Sequence, residues 1–94
     1  MLSALLDPLR GSMKFYHANG LYKAGDFAGA VKEYREVLEY QPNRAVAHFN
    51  LGLALYKTGE RRLARKEWEC VLELSASTNK YLHEQAQIML RQFS

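Results

Sequence analysis

Three histidines, one cysteine and ten carboxylates are the side chains of this 94-residue sequence whose chemistry could go beyond packing. His17, His48 and His83 fall one to each third of the chain, with no histidine pair at i, i+4 and no cysteine beside them. That spacing does not build a metal site, so they read as packing histidines and no metal or other cofactor is expected. Cys70 stands alone beside Glu69 and Glu73, acidic neighbours that raise a thiol's pKa and weaken its thiolate. No Gly-rich phosphate loop, serine elbow or cleft-forming carboxylate pair is visible, so no catalytic centre is expected. Arg61, Arg62, Arg65 and Lys66 form the densest positive cluster. They fall in the first turns of an expected helix, where the macrodipole opposes cations. The cluster reads either as a patch for an acidic protein surface or nucleic-acid backbone, or as an ordinary solvated face.

These residues need elements to position them. A composition of 48% hydrophobic and 24% charged residues, with 2 prolines and 6 glycines, describes a chain able to collapse around one modest core. The formal charge of +3 is too small for a dedicated nucleic-acid binder and mildly favours acidic partners. A single cysteine excludes an intrachain disulfide, no run of about 20 apolar residues spans a bilayer, and Met1 to Arg10 lacks the pattern of a signal peptide. A cytoplasmic protein without membrane contact is the expectation.

A shift of 34 residues lays the sequence on itself. Phe15, Leu21, Tyr22, Lys23, Gly25, Ala30, Lys32, Glu33, Val37, Leu38 and Glu39 meet identical residues at Phe49, Leu55, Tyr56, Lys57, Gly59, Ala64, Lys66, Glu67, Val71, Leu72 and Glu73. Ala18 meets Gly52, Asp26 meets Glu60 and Tyr34 meets Trp68. Repeats of this length mark stacked helical hairpins. Apolar residues follow helical spacing, as in Phe27, Ala30, Val31, Tyr34, Val37 and Leu38. Gly25 and Gly59 can each end a first helix, Asp26 or Glu60 favours the next, and Pro42 with Asn43 ends the second helix of the first unit. The expected helices are 13–24, 27–40, 44–57, 60–74 and 79–93. The last, striped with Leu82, Ala86, Met89, Leu90 and Phe93, would cover the open end of the stack.

The small Ala18 and Gly52, the glycines Gly25 and Gly59, Ala30 and Ala64, aromatic Tyr34 and Trp68, and Pro42 together resemble the tetratricopeptide repeat (TPR) family over about residues 13–90. Lys14, His48, His17 and Ala76 depart from its pattern. The resemblance implies an all-α solenoid of two TPR hairpins, about 11–44 and 45–78, with a capping helix at about 79–93, stacked as a right-handed superhelix. Residues 1–12 stand apart from this TPR domain of 13–94. Leu2, Leu5, Leu6 and Leu9 have helical spacing interrupted by Pro8, which allows a short helical turn or an extended anchor that docks on the repeats or on a neighbouring copy. The other reading takes Gly11-Ser12-Met13 as a junction ahead of a native start at Met13, with residues 1–10 a tag or a fused ligand peptide.

The resemblance further implies that first helices line a concave groove. Its candidate residues are Phe15, Asn19, Tyr22 and Lys23, then Phe49, Asn50, Leu53, Tyr56 and Lys57, then Lys80, His83, Gln87 and Arg91 of the closing helix. Such a groove suits another protein or peptide with apolar or aromatic anchors and acidic groups, in an adaptor or scaffold role. Asn19, Asn50 and Lys80 match three positions of the family's carboxylate clamp for the acidic C-terminus of heat-shock chaperones, but Phe15 and Glu84 occupy the other two. The alternative is a self-associating module whose groove is filled by its own or a neighbouring chain, giving a homo-oligomer. Nucleic-acid binding trails, because basic and aromatic residues are not interleaved on one surface.

Overall fold

The structure is a computed structural model that describes residues 2–76 and 78–93, with side chains from residue 5 onward. Among these residues it is all helix: α1 Leu2–Lys23, α2 Phe27–Tyr40, α3 Ala45–Lys57, α4 Arg61–Ser75 and α5 Lys80–Gln92. Helices α1 with α2, and α3 with α4, form the two closest pairs. Helix α2 joins the hairpins through α3, and α5 packs on α4 while barely touching α3. The result is a slab of 42 × 32 × 18 Å, one helix layer following another.

Both hairpins turn by the same device. Gly25 and Gly59 take φ of +85° and +89°, a region that strains residues bearing a Cβ. The amide of Asp26 reaches back to the Leu21 carbonyl at 2.9 Å and that of Gly25 to Tyr22 at 3.0 Å. Glu60 to Leu55 and Gly59 to Tyr56 repeat the pattern at 2.9 and 3.0 Å. These bonds satisfy carbonyls that the helix ends would otherwise orphan. The second helices begin differently. Asp26 caps α2 by accepting from the Gly29 amide, whereas Glu60 makes no side-chain cap on α4.

Pro42 restricts Gln41, and α2 stops at Tyr40. Ala76 holds the equivalent place in the second unit, keeps helical dihedrals, and α4 runs one residue further. The N-terminus departs more from expectation. The first helix starts at Leu2 and not at residue 13, and it continues through Pro8. Proline removes a single ladder bond there, and the Gln41 side-chain amide separately ties the Pro8 carbonyl to the end of α2, donating to it at 3.4 Å. Gly11 is buried where a methyl group would press on the Gln41 side chain, so the small residue admits the end of α2.

The core lies along the two hairpin seams and is continuous through Phe15, Ala18, Tyr34, Leu51, Leu55, Trp68, Leu82 and others. Trp68 and Tyr34 are the largest of its fully buried side chains. Burying each such ring contributes on the order of 2–3 kcal/mol. The indole of Trp68 lies directly on the backbone of α3 at Gly52, and its Nε1–H donates to the Phe49 carbonyl at 3.3 Å. A methyl group at Gly52 would overlap that ring. In the first hairpin the smaller Tyr34 stands at the matching position and Ala18 is tolerated, fully buried.

Two of the departures from the family pattern prove to be one feature used twice. Lys14 and His48, 34 residues apart, each face a carboxylate on the second helix of their own hairpin. The Lys14 Nζ lies 2.7 Å from Glu36 and 3.9 Å from Glu33. His48 Nδ1 lies 3.4 Å from Glu67, and its Nε2 lies 2.8 Å from the Pro42 carbonyl. Bonding to Glu67, against the opposing effect of burial and aided by Pro42, holds His48 above its ordinary 6.5. A neutral imidazole carries one N–H and can donate to only one of these acceptors, so the protonated form is the one both stabilise.

Replacing Gly52 by Ala is expected to cost about 1–3 kcal/mol by overpacking. Urea denaturation checks this, and adding Trp68→Tyr, which recreates the first hairpin's pairing, should recover part of the loss. Because the folded-state pKa of His48 is raised, its contribution is fully present below pH 6.5 and is lost as pH rises through the raised value. Denaturation midpoints should therefore fall across a window opening near pH 6.5, and His48→Gln should flatten that part of the profile.

Candidate functional site

The concave face is built from α1, α3 and the end of α5, and it holds two adjoining cavities. The first, about 220 Å³, is lined by Asn19, Tyr22, Lys23, Tyr34, Asn50 and Leu53. The second, about 250 Å³, is lined by Tyr22, Leu53, Tyr56, Lys57, Trp68, Met89 and Phe93. Tyr22 and Leu53 belong to both, so they form the ridge between two compartments of one groove.

The first compartment is polar at its base. The Tyr34 hydroxyl donates to Asn19 Oδ1, and Asn50 Nδ2 donates to the same oxygen at 3.2 Å. Burial pushes the Tyr34 hydroxyl up to about 12, so it stays protonated and remains a donor. With one oxygen receiving two donors, both carboxamides are held in fixed orientations. The Asn19 N–H groups and the Asn50 carbonyl are left without a partner among the described residues. Together they present donors and an acceptor side by side, the complement of a peptide bond in an extended chain.

The second compartment is aromatic. Tyr56 and Phe93 ring centroids are 4.6 Å apart, and Trp68 lies 6.3 Å from each. Cations rim it. Lys57 lies 5.8 Å from the Phe27 ring centroid, and the Arg61 guanidinium 5.4 Å from that of Tyr56. In the first hairpin the residue matching Arg61 is Phe27, which meets Tyr22 edge-on at 5.1 Å. The same contact is thus aromatic in one repeat and cationic in the next, which adds positive charge at the mouth of the second compartment.

Asn19, Tyr22, Lys23, Asn50, Leu53, Tyr56 and Lys57 meet on this face. Phe15 does not line it. It is buried against Tyr34 under the Arg44 guanidinium, 4.1 Å from its ring centroid. Phe49 packs partly buried on the core and contributes its backbone carbonyl to Trp68. Lys80, His83, Gln87 and Arg91 line neither cavity. Helix α5 instead turns Met89 and Phe93 inward, because Leu82 and Ala86 seat it on α4 and its predicted polar stripe lies on another side. His83 faces Ser75 across the α4–α5 junction at 3.5 Å. With Lys80 outside the groove, Asn19 and Asn50 are not joined into a carboxylate clamp.

Four lining residues were absent from the sequence-based set: Tyr34, Trp68, Met89 and Phe93. The first two were visible as a repeat-related aromatic pair, whose tips cross from the second helix to the groove floor. Phe93 follows Ala86 by two helical turns on the same stripe, which would have placed it on the inner face.

The remaining candidates are scattered. Arg61, Arg62, Arg65 and Lys66 are all exposed. Arg65 approaches Glu69 at 3.8 Å, and Arg61 belongs to the groove mouth, so the cluster is divided between two surfaces. The Cys70 thiol is pushed up first by burial and then by Glu67 and Glu73. Those carboxylates are one turn away on either side and not adjacent in sequence, as helical geometry requires. Among the described residues no three acidic, histidine or cysteine side chains converge as a metal site would need, and no helix is long and apolar enough to cross a membrane.

Comparison with known proteins agrees with this architecture. No curated protein matches the chain. Residues 18–59 match the model of the TPR repeat family, a span that runs from the buried Ala18 through the first hairpin to Gly59, the turn glycine of the second. With that match, and with turn glycines and buried aromatics recurring at 34 residues, the chain carries a tetratricopeptide repeat over residues 18–59 within an all-helical repeat stack similar to that family's, and repeats of this kind generally mediate protein interactions.

Proposed function

We propose that this protein is a non-catalytic adaptor, cytoplasmic in setting, that binds an extended peptide segment in the concave groove. The observation that carries this reading is the pair of oriented carboxamides, Asn19 and Asn50, with Lys23 in their own compartment, beside an aromatic compartment rimmed by Lys57 and Arg61. Backbone amides of a guest satisfy the carboxamides without regard to its sequence. Selectivity then comes from an apolar or aromatic anchor seated between Tyr22, Tyr56 and Phe93, and from carboxylates drawn to the three cations. The alternative in which the chain fills its own groove finds less support, since from the closing segment only Met89 and Phe93 enter it among the described residues, at one end of the second compartment.

The exposed cations of α4 provide a second contact in this proposal. Arg62 and Lys66 have no ion-pair partner within 4.0 Å among the described residues, so they remain available to an acidic surface flanking the guest.

Selection from a phage library of random peptides should enrich sequences that combine a large apolar residue with nearby acidic residues. Tyr56→Ala and Asn50→Ala should each weaken binding of the enriched peptide by at least about tenfold, measured by fluorescence polarisation. Equal affinity in both variants would overturn the groove reading. For α4, Arg62→Gln with Lys66→Gln should leave the fold intact and flatten the salt dependence of binding to an acidic protein partner. An unchanged slope would make the cluster a solvated face.

A further inference from the structure

The groove leaves one large apolar surface unexplained. On α1, Leu5, Leu6, Leu9, Met13 and Tyr16 are 77, 39, 57, 64 and 72% exposed. At 3.6 residues per turn the five fall within about 100° of arc, one stripe along the helix and away from the side that meets α2. Such a surface is far larger than the scattered single leucines of an ordinary exterior.

The repeat itself shows what this face is for. Met13, Tyr16 and His17 correspond, 34 residues on, to Ala47, Asn50 and Leu51. Ala47 and Leu51 are fully buried, and Asn50 bonds to Asn19 of the preceding hairpin. In α3 the face is therefore a packing surface. In α1 the same face carries the exposed Met13 and Tyr16, with the His17 imidazole at its edge 3.6 Å from Glu33 and nothing else among the described residues upon it.

We propose that a second copy of this chain covers the stripe, through an antiparallel contact of α1 on α1 about a two-fold axis near Leu9 and Met13. Three observations select this occupant. The charged residues Asp7, Arg10 and Lys14 lie off the stripe, so a charged partner gains nothing there and two copies bury no charge against each other. The first turns of α1 project beyond α2, whose following residue Gln41 reaches only to Pro8. An antiparallel pair lays each projecting Leu5 and Leu6 on the Met13 and Tyr16 of the other copy, so every exposed residue of the stripe is used. The five side chains expose on the order of 600 Å² per copy, and pairing removes roughly 1,200 Å², the lower limit of specific dimers. The interface is isologous and closes after two copies. It leaves the concave groove of each copy open, which makes the assembly a bivalent adaptor.

Sedimentation equilibrium of the full chain from about 1 to about 500 µM, a range that brackets weak specific dimers, tests this directly. The wild-type chain should pass from monomer to dimer. Leu9→Glu with Met13→Glu should weaken association at least about 100-fold with unchanged helical circular dichroism, as both sites are exposed. Mixing that variant with Leu9→Lys, Met13→Lys should restore a 1:1 dimer. Tyr56→Ala should dimerise as the wild type does. A wild-type chain that stays monomeric throughout overturns the proposal, as does a glutamate variant that associates normally or a Tyr56→Ala chain that cannot. If the glutamate pair loses helix, Leu9→Gln with Met13→Gln replaces it and carries the same two outcomes.

Discussion

The seat of Trp68 on the bare backbone of Gly52 is the contact on which the rest of this structure depends. An indole needs a surface without a Cβ to lie flat against a helix, and α3 provides one at the level of the Phe49 carbonyl, which takes the indole proton. This sets how closely α4 approaches α3. It also leaves the tip of the ring in the floor of the aromatic compartment beside Tyr56 and Phe93. The first hairpin solves the same problem with Ala18 and a phenol, and there the polar tip of Tyr34 becomes the base of the other compartment. One packing rule, small residue against large ring, therefore produces both halves of the groove and makes them chemically different.

Polar contacts divide the labour in a related way. Lys14 with Glu33 and Glu36, and His48 with Glu67, tie each first helix to its second from the side away from the groove. Aromatic packing is the more usual solution at these two positions in the family. A cation there needs a carboxylate in register, and Glu33 and Glu67 are among the identities that the repeat preserves. The exchange makes the second seam sensitive to protonation of an imidazole while the first keeps an ammonium that is charged at any physiological pH.

Much of this was legible in the sequence, because a 34-residue repeat constrains many positions together. Helices α2 to α5 follow within a residue or two from the apolar spacing, Gly25, Gly59 and Pro42. Helix α1 did not, since Pro8 reads as a break, whereas it costs one ladder bond and the helix runs on through it, packed on α2. Of the groove residues, those on α1 and α3 inherit their direction from the repeat, which is why Asn19, Tyr22, Asn50, Leu53 and Tyr56 could be assigned inward. Phase within α5 could not be inherited. That helix has no second helix to pair with, it seats itself on α4 through Leu82 and Ala86, and the residues carried inward change from a polar stripe to Met89 and Phe93. Phe15 misled for a different reason. Its ring turns into the core against Tyr34, with the Arg44 guanidinium lying over it.

Side-chain amide resonances offer the most direct view of whether the two oriented carboxamides are the point of contact with a guest. In an ¹⁵N correlation spectrum of the uniformly labelled chain, a peptide enriched by selection is titrated in. The account predicts that the Asn19 and Asn50 side-chain signals shift together with backbone amides near Tyr22 and Tyr56, while those of Leu63, Arg62 and Lys66 hold still apart from charge-dependent drift. Shifts concentrated on α4, or along Leu5 to Tyr16, with both asparagine side chains unmoved would contradict it.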